Sequence, residues 1–163
     1  MIKVAILTVS DKCARGERAD TSGDLLAELA AQIPAKVGAR RIVPDDKTEI
    51  VGALRDLARQ ADIIITTGGT GIAERDVTPD ATREVIEREL PGFGETMRVK
   101  GYEFTPRSIL SRATAGTVGA TLIVNMPGSP AAVRECFELV APSLAHAVEI
   151  LQGTAGECGR SNG

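Results

Sequence analysis

Aromatic side chains are nearly absent from this 163-residue chain, which has no tryptophan, one tyrosine and three phenylalanines. That scarcity excludes the stacked aromatic platforms that hold single-stranded nucleic acids, and it requires an aliphatic core. Positive charge is not in excess either. With 19 Lys and Arg against 22 Asp and Glu, the formal net charge is −3, so neither a general nucleic-acid partner nor a membrane surface is indicated. Cys13, Cys136 and Cys158 are odd in number, widely spaced and without a C-x-x-C pair. They argue against a disulfide framework or zinc site and for a reducing cytoplasm. No apolar run approaches the roughly 20 residues of a membrane span, and the amino terminus opens directly on a strand-like segment, so neither insertion nor export is expected. The lone histidine, His146, lies among Leu144, Ala147 and Ile150 and reads as a packing position rather than a catalytic one.

The length suits one domain that buries roughly two-thirds of its unfolded surface. Residues 1–153 form that domain, and the small, polar, glycine-rich residues 154–163 read as a flexible tail. Residues 2–9 are a buried first strand, and 21–33 a helix with Leu25, Leu26, Leu29 and Ile33 on one face. A second strand spans 37–43. Asp46 then caps a helix with Glu49 at the capping-box position and Ile50, Val51, Leu54 and Leu57 facing inward. The segment 62–65, with continuous isoleucines from Ile63 to Ile65, fits a strand buried on both faces of a parallel sheet. A helix over 78–89 breaks at Pro91, and 92–103 resumes as helix. Strands 113–118 and 121–125 form a tight hairpin about Gly119-Ala120. Ser129 caps two helical segments separated near Pro142. The β-α-β-α-β-α order predicts an α/β three-layer sandwich, with a mostly parallel central sheet and helices on both faces.

The strand at 62–65 empties into Thr66-Thr67-Gly68-Gly69-Thr70-Gly71 and then Arg75-Asp76-Val77-Thr78-Pro79-Asp80. Glycines remove β-carbons that would hold a ligand off the backbone and permit positive φ, so that successive N–H groups can face an anion. Thr67 and Thr70 add hydroxyls, and Thr78 reads as an N-cap with Pro79 at the first helical position. The run lacks a Walker ending and Rossmann spacing, so an ordinary tight turn is the competing reading. A side chain at Gly69 is expected to abolish phosphate binding while the fold survives, because an exposed turn accepts what a closely approached ligand does not. In doubly wound sheets ligands lie beyond the carboxyl ends of the strands. Ser10 and Asp11 follow the first strand, Asp45 the second, and the glycine run the third. Acidic loops beside a phosphate cradle suit a magnesium-nucleotide. Equally, Asp45 can be a turn residue and Asp76 can bond its own backbone. Asp80 and Thr82 can complement a helix dipole or touch ligand, while Arg75, Arg98 and Arg112 are the candidate cations for an anion.

Joined to Asp76-Val77-Thr78-Pro79-Asp80-Ala81-Thr82, the glycine run resembles the signature of the MogA/MoaB family of molybdenum-cofactor biosynthesis proteins, which includes the N-terminal domain of gephyrin. Pro91-Gly92-Phe93-Gly94-Glu95 with Met97-Arg98, Ile109-Leu110-Ser111-Arg112, and Asn125-Met126-Pro127-Gly128-Ser129-Pro130 match further family blocks in order, covering the chain to about Gly153. The resemblance implies a molybdopterin adenylyltransferase that uses Mg2+ and ATP to make adenylyl-molybdopterin and pyrophosphate. It implies catalytic, magnesium-organising roles for Asp45 and Asp76. Together with the loop positions, it marks Ser10, Asp11, Thr67, Gly68, Gly69, Thr70, Gly71, Thr78, Asp80, Gly92, Glu95, Arg98, Ser111, Arg112, Pro127, Gly128 and Ser129 as nucleotide- or pterin-phosphate-binding. It further implies a homotrimer or dimer of trimers and a molybdate-insertion enzyme as partner. The alternative within the family is a non-catalytic molybdopterin-binding or scaffold protein of the MoaB type. Molybdate-inserting ligases and competence-damage-type hydrolases share the domain on longer chains, which the 163-residue length disfavours.

Overall fold

A computed structural model describes residues 1–156. Strand β1 (Ile2–Val9) leads through a short helix α1 (Asp11–Ala14) to α2 (Thr21–Ala30), then β2 (Ala35–Val43), α3 (Lys47–Ala58) and β3 (Ile63–Thr67). There follow α4 (Thr78–Val85), a two-residue strand β4 (Arg88–Glu89), α5 (Pro91–Gly101) and a 3-10 turn at Pro106–Leu110. Strands β5 (Ala115–Val118) and β6 (Thr121–Met126) and the long helix α6 (Pro130–Gln152) close the order. The six-stranded sheet runs β2-β1-β3-β6-β5-β4. Its first four strands are parallel, whereas β5 pairs antiparallel with β6 and with β4.

Alternating residues send the sheet's aliphatic side chains into two cores. Val4, Ile6, Ile63, Ile65, Leu122 and Val124 meet Leu26 and Leu29 of α2, Met97 of α5 and Phe137, Val140 and Leu144 of α6. Ala5, Leu7, Ile64 and Ile123 meet Ile50, Leu54 and Leu57 of α3 and Ala81 and Val85 of α4. The three-layer architecture and the inward face of α3 are as the periodicity predicts. So is the cap of α3, where Glu49 N–H donates to Asp46 at 3.0 Å.

Four local expectations change. The polar loop after β1 holds one turn of helix, capped by Ser10, whose Oγ accepts from Cys13 N–H at 3.2 Å. Helix α4 stops at Val85, because Ile86 turns extended and the chain joins the sheet edge, with Glu87 and Leu90 N–H bonding Thr117 and Ala115 carbonyls. Thr78 is not the cap of that helix but its first residue, Pro79 its second, and Val77 precedes them without a side-chain cap. Helix α6 is continuous through Pro142. That proline sits on the exposed face, while the buried stripe of Phe137, Val140, Leu144 and Val148 runs past it, so packing outweighs the missing backbone donor. Most of the expected tail, 157–163, lies outside the described residues.

Candidate active site

The carboxyl ends of β1, β3 and β6 open on a cavity of about 470 Å3. Ser10 follows β1, Thr67, Gly68 and Gly69 end β3, and Gly128, Ser129 and Pro130 begin α6; Asp45, Asp76 and residues 18–22 add the walls. Among the described residues a wider depression, about 620 Å3 around Lys3, Arg55, Asp62 and Gly119, lies at the opposite ends of the strands. That is the end doubly wound sheets do not use for ligands.

The glycine turn is built tightly. Gly68 and Gly69 adopt φ of +98° and +67°. A β-carbon on Gly68 would lie 2.2 Å from the Val9 carbonyl oxygen, and one on Gly69 2.3 Å from Thr78 Oγ1 and 3.3 Å from an Asp45 carboxylate oxygen. Glycine is therefore required by the loop's own packing, and the expectation that an exposed turn tolerates a side chain at Gly69 is corrected. Gly68 N–H bonds Met126 O at 3.2 Å, whereas the amides of Gly69, Thr70 and Gly71 donate to no protein acceptor among the described residues. Such a run of unpartnered amides is what an anion-binding turn presents. Thr67 lines the cavity while its hydroxyl donates to Pro127 O at 2.7 Å, tying the glycine turn to the start of α6. Ser129 caps α6 by accepting from Ala132 N–H at 3.3 Å, so the positive end of a 23-residue helix opens on the same space.

Two carboxylates face this cradle. Asp45 and Asp11 hold each other's loops reciprocally, each backbone N–H donating to the other's carboxylate at 3.0 Å. Burial, the largest cause, raises the Asp45 carboxyl above its ordinary pKa; the charges of Asp11 and Asp76 push the same way and the Asp11 amide opposes them. Asp76 accepts from Ala73 N–H at 3.1 Å, which fixes its loop, and still lines the cavity. Both aspartates therefore fix their loops, as the turn reading expects, and both also line the cavity.

Other expected contacts are spent on scaffolding. Arg75 forks onto Asp11 at 2.7 and 2.9 Å and holds that carboxyl below its usual range. Arg112 forks onto Asp80 at 3.1 and 2.9 Å, lowering the Asp80 pKa, and its guanidinium also donates to the Gly71 and Asp76 carbonyls. These bonds brace the loop from Gly71 to Asp80 from behind. Thr78 is fully buried and donates to Gly68 O at 2.9 Å, inside the loop rather than into the cavity. Thr82 is buried too, accepting from Asn125 Nδ2 at 2.9 Å.

Beyond the Pro127–Ser129 turn lies a second cavity of about 340 Å3, bordered by Arg98, Ser111, Pro127, Ser129, Ala132 and Cys136. Arg98 reaches the Ala113 carbonyl at 2.7 Å, and burial pushes the Cys136 thiol up to about 11. Gly92 borders a separate groove with Phe93 and Leu139, and Glu95 is exposed on α5 and lines neither ligand cavity. Sequence reasoning missed the 18–22 wall. Asp20 caps α2, accepts from Thr8 Oγ1 at 2.8 Å, and is followed by Ser22, whose Oγ donates to Gly128 O at 2.7 Å. An aspartate three residues before Gly23 was the available signal, since that is capping spacing.

A mostly parallel sheet that brings the unpartnered Gly69 amide, a helix amino terminus and the carboxylates of Asp45 and Asp76 to one cavity defines an α/β domain with an anion-binding geometry at the carboxyl ends of its strands. Residues 5–146 match the family described as "probable molybdopterin binding domain", and the chain belongs to that family. A molybdopterin adenylyltransferase of Helicobacter pylori strain J99 is 37% identical over 99% of this chain and 94% of its own length. A molybdenum cofactor biosynthesis protein B of Staphylococcus carnosus is 44% identical, covering 92% and 91%. The crystal structure of the molybdopterin biosynthesis enzyme MoaB from Thermus thermophilus superposes with a TM-score of 0.88 at 49% identity, covering 94% of this chain and 98% of that one. The MogA/MoaB resemblance carried by the sequence blocks is thereby borne out.

Proposed function

We propose that this chain adenylylates molybdopterin with ATP in the biosynthesis of the molybdenum cofactor. The observation that carries the reading is the convergence of Asp45, Asp76 and the free amide of Gly69 on one cavity beside the amino terminus of α6, with the unpartnered amides of Thr70 and Gly71 next along the same turn. A phosphate oxygen of molybdopterin attacks the α-phosphorus of ATP. The bond from that phosphorus to the bridging oxygen breaks, and pyrophosphate leaves with the bond's electrons. No covalent enzyme intermediate is needed, so the protein's work is alignment and charge stabilisation. The Gly69 amide, with those of Thr70 and Gly71 behind it on the same turn, supplies donors for phosphate oxygens, the α6 terminus adds a favourable field, and Thr67 keeps the two loops at fixed spacing. The second cavity, beyond Ser129, gives a ring system room next to the phosphates.

Asp45 and Asp76 fit magnesium: they are carboxylates on one cavity wall whose charges oppose each other. Mg2+ commonly takes one or two carboxylates plus substrate phosphates. Bound there, the ion supplies neutralisation of phosphate oxygens. The homologues named molybdopterin adenylyltransferase, at 37% and 39% identity across most of this chain, support the same activity. Among the described residues no helix is long and apolar enough to cross a membrane. We place the protein in the cytoplasm on the free thiols Cys13 and Cys136. We assign it a homo-oligomer, a trimer or dimer of trimers, and a molybdate-insertion enzyme as the consumer of its product. Purified protein mixed with molybdopterin and labelled Mg-ATP is expected to release pyrophosphate and form an adenylylated pterin. Molybdopterin binding without pyrophosphate would move the chain to the non-catalytic class.

A further inference from the structure

We infer that Arg18 is the substrate-phosphate docking residue of this site, a role resting on the adenylylation reading above. The cavity's charged walls are Asp20, Asp45 and Asp76 on one side of the balance and Arg18 alone on the other. Arg40, outside the lining, pairs with Asp20 at 3.4 Å and Asp24 at 2.7 Å, so Arg18 is the cation that the lining itself sets against Asp45 and Asp76, where phosphate-bearing ligands must enter. The two other arginines near the loops do not add to it. Arg75 is locked onto Asp11 and Arg112 onto Asp80, each through two guanidinium nitrogens. Arg18, by contrast, is exposed and has no ion pair or side-chain hydrogen bond among the described residues.

The backbone that carries Arg18 is held in place. Gly16, at φ +73°, lets the chain reverse after α1, with Gly16 and Glu17 N–H bonding the Cys13 and Lys12 carbonyls. On the other side Asp20 is tied to Thr8 and caps α2, and Ser22 bonds the Gly128 carbonyl. Arg18 therefore projects from a short span held on one side by α1 and on the other by Asp20 and Ser22 at the cavity wall. Most of the ordering cost of its backbone is met before ligand arrives, which favours a preorganised contact. A guanidinium there can fork onto two phosphate oxygens, the arrangement for which arginine surpasses lysine. The phosphate belongs either to the polyphosphate of ATP or to the terminal phosphate of molybdopterin; both present the same chemistry to Arg18.

Equilibrium titrations of ATP and of molybdopterin, each into wild type, Arg18→Gln and Arg18→Lys at two salt concentrations, separate these sources. Arg18→Gln is expected to weaken one ligand about tenfold, the loss of a charge-assisted contact, and to flatten that ligand's salt dependence. Arg18→Lys retains the salt dependence with intermediate affinity. At sub-saturating concentrations of the docked ligand, pyrophosphate release by Arg18→Gln is expected to fall about tenfold as well, in step with the lost affinity. The ligand whose affinity falls is the one docked. Affinities for both ligands unchanged in Arg18→Gln, or a loss with undiminished salt dependence, would overturn the role of Arg18 while leaving adenylylation intact. Wild-type protein that binds neither ligand would overturn the adenylylation reading itself and this role with it.

Discussion

At the scale of single residues, Asp45 separates what the site needs from what the fold prefers. Its carboxyl pKa is raised, with burial as the first cause. A raised acid is destabilising in its charged form: the unfolded chain loses the proton first, so stability falls as pH climbs from the ordinary value of 3.8 through the folded pKa. Asp45→Asn removes that liability while an amide oxygen can still accept from Asp11 N–H. The melting temperature of Asp45→Asn is therefore expected to exceed that of wild type at neutral pH, and the gap to close as pH approaches 3.8. Turnover should move the other way. Both Asp45→Asn and Asp76→Asn are predicted to lose at least about 100-fold in pyrophosphate release while molybdopterin affinity changes less than about threefold, because each deletes metal-organising charge and nearly preserves shape. Near-parental rates across a magnesium titration in either folded variant would remove that residue from the catalytic pair. A site carboxylate kept at a cost in stability is the expected pattern for function.

The elements show where local sequence speaks clearly and where tertiary packing overrules it. The β3 strand was legible because the unbroken run Ile63 to Ile65 fits burial on both faces of a parallel sheet, and the face of α3 because Ile50, Leu54 and Leu57 repeat with the helical period; the structure buries every one. The hairpin about Gly119-Ala120 was legible because a glycine at φ +54° is what its tight turn demands. The cradle was legible as a glycine run. Its bracing was not, because Arg112 reaches Gly71 and Asp80 from more than thirty residues away in sequence, and no local pattern announces such a bond. Thr78 looked like a cap for the same reason: only the fold shows its hydroxyl turned back to Gly68. Pro142 is the sharpest case. Local rules break the helix there, yet α6 continues, held by Val140 and Leu144 on its buried side. Pro142→Ala restores a backbone donor to an exposed helical position, and is expected to stabilise the protein by about 1–2 kcal/mol, less than the full interior penalty because the unfolded chain also gains freedom. Thermal unfolding measures this; a lower melting temperature would mean that α6 packs better with the bend the proline imposes.

At the scale of the whole molecule, the unevenness of the surface points outward from the site. Val99, Tyr102, Phe104, Ile109 and Leu110 are 49–68% exposed and lie on α5, on the 3-10 turn at Pro106–Leu110 or on the short link between them. These elements stand outside the regular β-α alternation. A chain with four aromatic residues in all keeps its Tyr102 and Phe104 here rather than in its core, whose largest aromatic is Phe137. A nearby groove bordered by Leu90, Phe93, Leu139 and Val140 extends the apolar character between α5 and α6. Exposed apolar groups gathered on one structural unit mark association surfaces more often than scattered ones do. Copies of one chain commonly assemble with closed symmetry, and we propose this surface as the interface of the trimer or dimer of trimers that the MogA/MoaB resemblance implies. Light scattering across a dilution series is expected to return three or six times the chain mass of 17.1 kDa. Replacing Phe104 by Glu, at a position 63% exposed in the single chain, should shift that mass downward with little change in circular dichroism, since no intrachain core is disturbed. A wild-type monomer at micromolar concentration would reject the assembly and leave Asp45, Asp76 and the glycine cradle as the chemistry of a single chain.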